Sequence, residues 1–316
     1  MDRRLRRRWA STPAWRAAAL GLVASGLAVV NAAAQTPRSS VEAERADYVA
    51  WLTTAATSPL AAVAQQPIGA GLRLGPADAE VPLDGVPEQR VTQNGAAILL
   101  AGPSGSRALP RGLPVRLGGY TVTADGPPGR AVLTVFGPHP PGKHPQHYDL
   151  QPAVAFVGPL LPAATRGTVR VLGADGIEVD AAEAGSVLVP IGSARVRLLV
   201  RRLPTAGGEE SELEIFFRDA TNGRGTYPAG RFVALVPERD GRYRLDFNRA
   251  RNPFCAYSSA YPCPAPWRGN VIPGPVDRQA RQRPRLLRTV GGAGLERQRG
   301  ARDGRLRCHD PGPARG

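Results

Sequence analysis

The chain has few of the residues and motifs from which most catalytic sites are built. Lys143 is its only lysine, although lysine and arginine together number 41 in 316 residues, and it has four histidines and three cysteines. Its body contains no Gly-x-Ser-x-Gly elbow, phosphate-binding loop, dinucleotide fingerprint or His-Glu-x-x-His motif. These absences exclude the commonest signatures of hydrolases, nucleotide-binding enzymes and metalloproteases. The sequence motifs therefore do not decide whether the protein is an enzyme.

The net charge of +15 lies mainly at the two ends of the chain. Residues 1–34 hold six arginines and one aspartate, and residues 271–316 hold eleven arginines and four acids. The residues between them are close to neutral. Because affinity for nucleic acid requires cations gathered on a folded face, we expect no nucleic-acid partner.

The N-terminal segment has the layout of an export signal. Six arginines up to Arg16 precede an apolar run over residues 17–30, and small residues follow at 32–34. We predict a cleaved signal peptide over residues 1–34 and a periplasmic or secreted protein, with no membrane association after cleavage. The alternative is a retained anchor, but the apolar run is short against the roughly 20 residues that span a bilayer.

The C-terminal segment has the composition of a disordered tail. From Asp277 onward it lacks aromatic residues and has too few large apolar side chains to build a core. We predict an Arg-rich disordered tail over residues 276–316. Two origins remain open: a shifted reading frame, or an ordinary basic extension.

Between these ends, one helix is predicted before a long series of strands. Ser39 and Glu42 have capping-box spacing, and Val41, Tyr48, Val49 and Leu52 share a helical face before the sequence Ser-Pro at 58–59. After this point the apolar period changes to two. The clearest strands are 194–200, where apolar residues alternate with arginines, and 213–217.

Shorter apolar runs predict further strands at 98–101, 120–123, 131–136, 153–157, 169–172 and 187–189. Turns are predicted at 174–176, 207–208, 222–223 and 240–241, where glycine supplies positive φ. Many short strands without alternating helices favour a mainly β protein, an antiparallel sandwich or barrel-like domain. We predict one such domain over residues 35–275. The Pro-rich loop at 139–147 marks where a subdomain break would fall.

Cys255 and Cys263 lie close together in a Pro-rich loop of a chain predicted to be exported. A disulfide is the favoured interpretation, and free thiols or a metal site are the alternatives. Cys308 is left unpaired in the tail. His139, His144 and His147 are interpreted as loop residues in solvent, since a flexible loop fixes metal ligands poorly. We expect no metal and no cofactor.

The densest polar segment runs from Arg218 to Asn252, and it is where the sequence predicts a site. Strand alternation and turn glycines are expected to bring its guanidinium, carboxylate and amide groups together, with Asp246 and Asn248 on one face of a strand and Gly230 permitting close backbone approach. The candidate ligand-binding residues are Arg218, Asp219, Asn222, Tyr227, Arg231, Asp246, Asn248, Arg249 and Asn252.

Three functions are compatible with this segment. The first is a non-catalytic module that binds a small polar or anionic ligand. The second is a hydrolase-like enzyme in which Asp219 and Asp246 act as an acid/base pair. The third is a purely structural network in which the buried polar groups satisfy one another. Oligomeric state and ligand identity are not indicated by the sequence.

The same segment resembles the family described as domain of unknown function 1684. The resemblance is dense at its C-terminal end and thin toward Tyr48, and Arg251 and Phe254 stand where an aromatic residue and a proline are usual. It implies no activity, substrate or cofactor. The positions that carry it are Arg218, Asp219, Thr221, Asn222, Gly223, Thr226, Tyr227, Gly230, Arg231, Asp246, Phe247, Asn248, Arg249, Asn252, Pro253, Cys255, Ala256 and Cys263.

Overall fold

A computed structural model describes residues 38–276, except 142–145, 166, 192 and 206–209. The predicted signal peptide, nearly all of the predicted tail, His144, the predicted turn at 207–208 and Cys308 lie outside the described residues. In the part that is described, none of the helices is both long and apolar enough to cross a membrane.

A single α-helix, α1 (Arg38–Thr54), precedes the strands of the described chain. Its predicted apolar face is confirmed, because Val41, Tyr48 and Leu52 are buried. The predicted capping box is wrong: Arg38 is already helical, so Ser39 lies inside the helix, and Glu42 instead pairs with Arg38 at 2.7 Å. After the helix, a 3-10 turn at Pro59–Ala61 leads into the first strand.

Sixteen strands lie within the described residues, and the predicted mainly β, antiparallel fold is confirmed. Their bounds are Ala62–Pro67 (β1), Leu72–Gly75 (β2), Val81–Pro82 (β3), Gln89–Asn94 (β4), Ala97–Gly102 (β5), Gly105–Ala108 (β6), Val115–Leu117 (β7), Tyr120–Asp125 (β8), Val132–Phe136 (β9), Ala155–Gly158 (β10), Thr168–Leu172 (β11), Glu178–Ile191 (β12), Ala194–Pro204 (β13), Ser211–Phe217 (β14), Arg231–Pro237 (β15) and Tyr243–Asp246 (β16).

The strands form three sheets. Their orders are β3-β2-β4-β5-β6, β1-β9-β8-β7 and β10-β16-β15-β14-β13-β12-β11. The named neighbours are antiparallel except β2 and β3. Strands before residue 139 and strands after residue 147 belong to different sheets, and the subdomain break there stays a prediction.

Both faces of the four-stranded sheet are covered. The five-stranded and four-stranded sheets share one apolar core, which includes Leu74, Leu100 and Leu133. On the opposite face of β9, Val132 packs against a second cluster that contains Phe216 and Trp267 of the C-terminal half. The four-stranded sheet therefore contacts the C-terminal half of the described chain through apolar side chains.

The seven-stranded sheet curls so that its two ends approach each other. Leu161, which follows β10, exchanges two backbone hydrogen bonds with Ser186 in β12, at 2.8 and 2.9 Å. Gly185 lies at a bulge with a φ of 145°, and a Cβ there would collide with the carbonyl oxygen of Leu161. The interior of the curl holds an apolar core that includes Leu198, Ile215 and Val233.

Candidate functional site

Arg231 and Asp219 form a buried ion pair at one end of the seven-stranded sheet. Arg231 begins β15, and its Nη2 lies 2.9 Å from Asp219 Oδ2, with the Asp219 side chain fully buried and that of Arg231 9% exposed. The guanidinium also lies over the ring of Phe217, 5.1 Å from the ring centroid. Gly230 allows the backbone before β15 to lie close to that of β14, because a Cβ at residue 230 would stand 2.7 Å from the carbonyl oxygen of Phe217.

The remaining acceptor positions of Asp219 are occupied by the protein itself. Oδ1 accepts hydrogen bonds from Thr221 N at 3.1 Å and from Thr221 Oγ1 at 2.6 Å, and Oδ2 accepts one from Val276 N at 2.8 Å. Together with Arg231 these donors come close to the full capacity of a carboxylate. Asp219 is thus saturated without a ligand.

The turn after Asp219 is tied to the disulfide. Asn222 Oδ1 accepts a hydrogen bond from Asp219 N at 2.7 Å, and Asn222 Nδ2 donates to Tyr227 O. The Tyr227 hydroxyl donates to Cys255 O at 3.0 Å and contacts the sulfur atoms of Cys255 and Cys263 at 3.4 and 3.3 Å. The predicted bond between these cysteines is confirmed. The turn and the disulfide loop therefore stabilise each other.

Asp246 and Asn248 belong to a second network. Asp246 ends β16 and caps a 3-10 turn at Phe247–Arg249, and its Oδ1 accepts from Asn248 N at 3.0 Å and Asn248 Nδ2 at 2.8 Å. Asn248 also exchanges hydrogen bonds with the backbone of Gln151, at 2.8 and 2.9 Å. The predicted projection of Asp246 and Asn248 from one face of a strand is wrong, because the strand ends at Asp246.

Two residues of α1 complete this second network, and the sequence analysis missed both. Arg249 Nη2 lies 2.9 Å from Glu44 Oε1, and Arg45 donates to Asn248 O from Nε at 3.2 Å and from Nη2 at 2.8 Å. Burial raises the pKa of the Glu44 carboxyl despite the neighbouring Arg249. No sequence signal marks these residues, since glutamate and arginine are common on the polar face of any helix.

Strand register places the two networks on opposite faces of the seven-stranded sheet. Leu235 pairs with Leu245, and side chains alternate along each strand. Arg231 and Leu245 therefore point into the curl, whereas Asp246 points away from it. The predicted convergence of Arg231 with Asp246 is wrong, and Asp219 and Asp246 lie in separate networks rather than as an acid/base pair.

Arg218 and Asn252 lie at the edges of these networks. Arg218 is exposed, and its backbone bonds with Asn270 O at 2.9 Å and Ile272 N at 2.8 Å. Asn252 forms a side-chain hydrogen bond with Tyr257. The structure thus distributes the nine predicted ligand-binding residues over separate contacts, and it does not gather them round one concavity.

A third polar cluster lies on the outer face of β14 and was also missed. Alternation places Glu214 on the polar face of that strand, but it is buried and lies 3.0 Å from Arg251 Nη2. Burial raises the pKa of Glu214, and burial together with the charge of Glu214 raises the pKa of Glu212 to about 7. Above the cluster, the hydroxyls of Tyr48 and Tyr257 are 3.4 Å apart. Helix α1 therefore covers part of a face that alternation alone assigns to solvent.

The histidine loop does not form a cluster of metal ligands in the part that is described. His139 Nε2 lies 2.8 Å from Ala55 O, and burial lowers the pKa of His147. Across the described ranges, no group of three or more histidine, cysteine or acidic side chains is arranged to hold a metal ion.

An open cleft of about 310 Å³ lies between β10 and β12, where the curled sheet nearly closes. Of the residues that line it, Arg242 alone is charged, and Arg242 Nε also lies 2.6 Å from Asp240 Oδ2. The turn at 240–241 agrees with the sequence prediction, whereas no sequence pattern indicates the cleft. The residues that line its walls and rim include Phe156, Val157, Leu188, Pro190, Arg242 and Tyr243.

Comparison with known proteins gives a family match over part of the chain and no activity. Residues 143–278 match the family described as "Protein of unknown function (DUF1684)", which confirms the resemblance over that range. The solution NMR structure of an uncharacterized protein of Haloarcula marismortui is 27% identical and covers 43% of this chain and 77% of its own, with a TM-score of 0.37. No protein with a curated description matches the chain. Function therefore has to be argued from the site.

Proposed function

We propose that this protein is an exported, non-catalytic binding module that takes an anionic ligand with an apolar group in the cleft between β10 and β12. The Arg218–Asn252 segment contributes Arg242 and Tyr243 to that cleft, while its other polar residues hold the fold. One observation supports this division most strongly. The carboxylate of Asp219 is already saturated, whereas the cleft is open and lined mostly by residues with apolar side chains.

The chemistry of the lining indicates the class of ligand. A volume of about 310 Å³ is at the lower end of the range for ligand pockets, roughly 300 to 1,000 Å³. Leu188 stands at this cleft with 43% of its surface exposed, so it offers apolar surface to a ligand there. A single guanidinium beside apolar walls suits a ligand with one negative group and an apolar body.

The compartment is proposed from the disulfide together with the N-terminal sequence. Disulfides persist in oxidising compartments and are rare in the cytosol. Cys255 and Cys263 are bonded, and Tyr227 links this bond to the turn that carries Asp219. A disulfide that supports this turn is consistent with a protein that folds in an oxidising compartment.

The hydrolase alternative has less support. General acid and base groups act on one substrate only when both lie within hydrogen-bonding reach of it. Asp219 bonds to Arg231 and the backbone inside the curl, and Asp246 bonds to Asn248 on the other face. No single substrate position lies beside both carboxylates.

Binding is tested with 1-anilinonaphthalene-8-sulfonate, which combines an apolar body with a sulfonate and fluoresces in apolar sites. We expect saturable binding by the wild-type protein, weakened about tenfold by Leu188→Asp, which corresponds to ~1.4 kcal/mol. The matched control is Leu99→Asp, on β5 of the five-stranded sheet, where the leucine is 45% exposed and is not among the residues that line the cleft. Near-UV circular dichroism establishes that each variant keeps its packing.

Arg242 and its partner Asp240 provide two tests with opposite signs. Arg242→Ala removes the cation and is expected to weaken binding about tenfold, equivalent to ~1.4 kcal/mol. Asp240→Asn removes the carboxylate that competes for Arg242, and it is expected to strengthen binding about threefold. Equal affinity in the wild type and all of these variants would contradict the proposed site.

A further inference from the structure

The cleft exists because an antiparallel ladder between β10 and β12 begins and then stops. Leu161 and Ser186 form a complete rung with two hydrogen bonds. In an antiparallel ladder such rungs recur at every second residue. The same register would place Pro159 opposite Leu188 and Val157 opposite Pro190.

Each of those next two rungs contains a proline. Because proline has no backbone N–H, each rung can form only one of its two hydrogen bonds. Pro159 and Pro190 both line the cleft. The position of the cleft, directly beyond the last complete rung, follows from these two residues.

Because β10 and β12 separate after Leu161 and Ser186, backbone N–H and C=O groups on their facing edges do not bond to each other as a ladder. Ser186 directs its N–H and C=O toward Leu161, so alternation directs those of Leu188 to the same edge. The opposite edge of β12 is occupied by β13 along the pairs from Ser186 to Ile191. On β10, Val157 lies opposite Arg244 of β16. Its neighbours Phe156 and Gly158 direct their backbone groups toward β16, so the N–H and C=O of Val157 point to the cleft. Over the described ranges, no turn or loop bond engages the backbone of Leu188 or Val157.

We propose that the ligand of this cleft is an extended peptide segment, which adds as a strand to the edge of β12 at Leu188 and places an apolar side chain between β10 and β12. This inference rests on the proposed function, whose site it shares. A strand supplies donors and acceptors at the two-residue spacing of an open edge, and the pocket beside the edge receives alternate side chains. A small amphipathic molecule does not carry backbone donors and acceptors at that spacing.

Charge around the edge defines the peptide further. Arg195 and Arg197 on β13 pair with Pro190 and Leu188, and both arginines are exposed on the outer face beside the edge. Arg242 stands at the cleft itself. Three cations near one open edge suit an acidic segment with alternating apolar residues.

The test uses the full chain and the peptide acetyl-Thr-Val-Glu-Val-Glu-Val-Thr-amide, with amide hydrogen exchange of Leu188 as the readout. We expect exchange at Leu188 to slow at least tenfold on saturation. Two copies of the peptide, N-methylated on one edge or on the other, separate strand addition from contact by side chains alone. The copy methylated on the edge that faces β12 is expected to bind at least tenfold more weakly. The copy methylated on the other edge is expected to bind close to normally, since only one edge of the added strand bonds to β12.

The double variant Pro159→Ala/Pro190→Val restores both missing N–H groups. It is expected to complete the ladder, to protect Leu188 without peptide, and to bind the peptide at least tenfold more weakly. Unchanged Leu188 exchange with peptide, or equal binding of both methylated copies, would overturn strand addition even when the sulfonate probe still binds. Loss of both probes would overturn the proposed function as well. A stable dimer in sedimentation that protects Leu188 without peptide would assign the edge to a second copy and also contradict the proposal.

Discussion

Glu212 and Glu214 point to the same side of β14, two residues apart, but within the described residues only Glu214 has a cation in contact. Arg251 Nη2 lies 3.0 Å from Glu214 Oε1. Burial and the charge of Glu214 both disfavour ionised Glu212, and they raise its pKa to about 7. The folded protein therefore binds a proton at Glu212 that the unfolded chain releases near the ordinary carboxyl pKa of 4.5.

This difference predicts a pH-dependent stability. A carboxyl whose pKa is raised in the folded state contributes stability below about pH 4.5 that is lost as the pH rises to about 7. Compared with the wild type, Glu212→Gln is expected to unfold with a similar free energy at pH 4.5 and with about 1 to 3 kcal/mol more at pH 8. Urea unfolding at the two pH values measures this. The control Asp84→Asn removes an exposed acid that is not among the groups acting on Glu212. It is expected to change the free energy of unfolding by the same amount at both pH values, and an equal response of the two variants would contradict the assignment.

At the scale of residues, the sequence indicates which polar side chains form networks, but it does not indicate their hydrogen-bond and ion-pair partners. Asp219, Arg231, Asp246 and Asn248 are all engaged in buried contacts, as a dense polar segment suggests. Their partition between two faces depends on the register of β14, β15 and β16, which the residues themselves do not encode locally. The partners from α1 lie about 200 residues away in sequence, so no local pattern indicates them.

At the scale of elements, strands with alternating apolar residues were predictable and polar strands were not. The alternating residues of β13 and β14 and the short apolar runs of β5, β8 and β9 are strands. β1 and β4 each contain two glutamines that are half-buried or exposed, and they are strands because β9 and β5 pair with them. In β12 only residues 187–189 were predicted, since the preceding acids and alanines favour helix. Pairing with β11 and β13 overrides that propensity.

The disulfide loop is the element whose removal has the most definite expected effect. Closing so short a ring stabilises a fold by about 2 to 3 kcal/mol in the chain-entropy treatment. The double variant Cys255→Ser/Cys263→Ser is expected to lose about that amount in denaturant unfolding, and also the packing of Tyr227 against the sulfurs. Dithiothreitol should destabilise the wild type to the same extent and leave the double variant unchanged. A wild type that is indifferent to reductant would contradict a stabilising role.

At the scale of the whole molecule, the polar segment and the proposed binding cleft are different parts of one curled sheet. The segment closes one end with ion pairs and turns, and the cleft opens where β10 and β12 separate. The cleft was not predictable, because Val157 and Leu188 meet only after the sheet has curled. The two prolines that prevent its closure have meaning only once the register of Leu161 with Ser186 is known.

The most direct test of this division is the free energy of unfolding of Arg231→Met, measured together with binding of the sulfonate probe. Removing one partner of a buried pair leaves the Asp219 carboxylate uncompensated, so we predict a loss of about 3 to 5 kcal/mol. The control Arg170→Met, at a side chain that is 58% exposed, is expected to change stability by less than about 1 kcal/mol. Folded Arg231→Met should bind the probe with the affinity of the wild type. Full stability with loss of binding would show instead that Arg231 serves a ligand, and it would contradict the account.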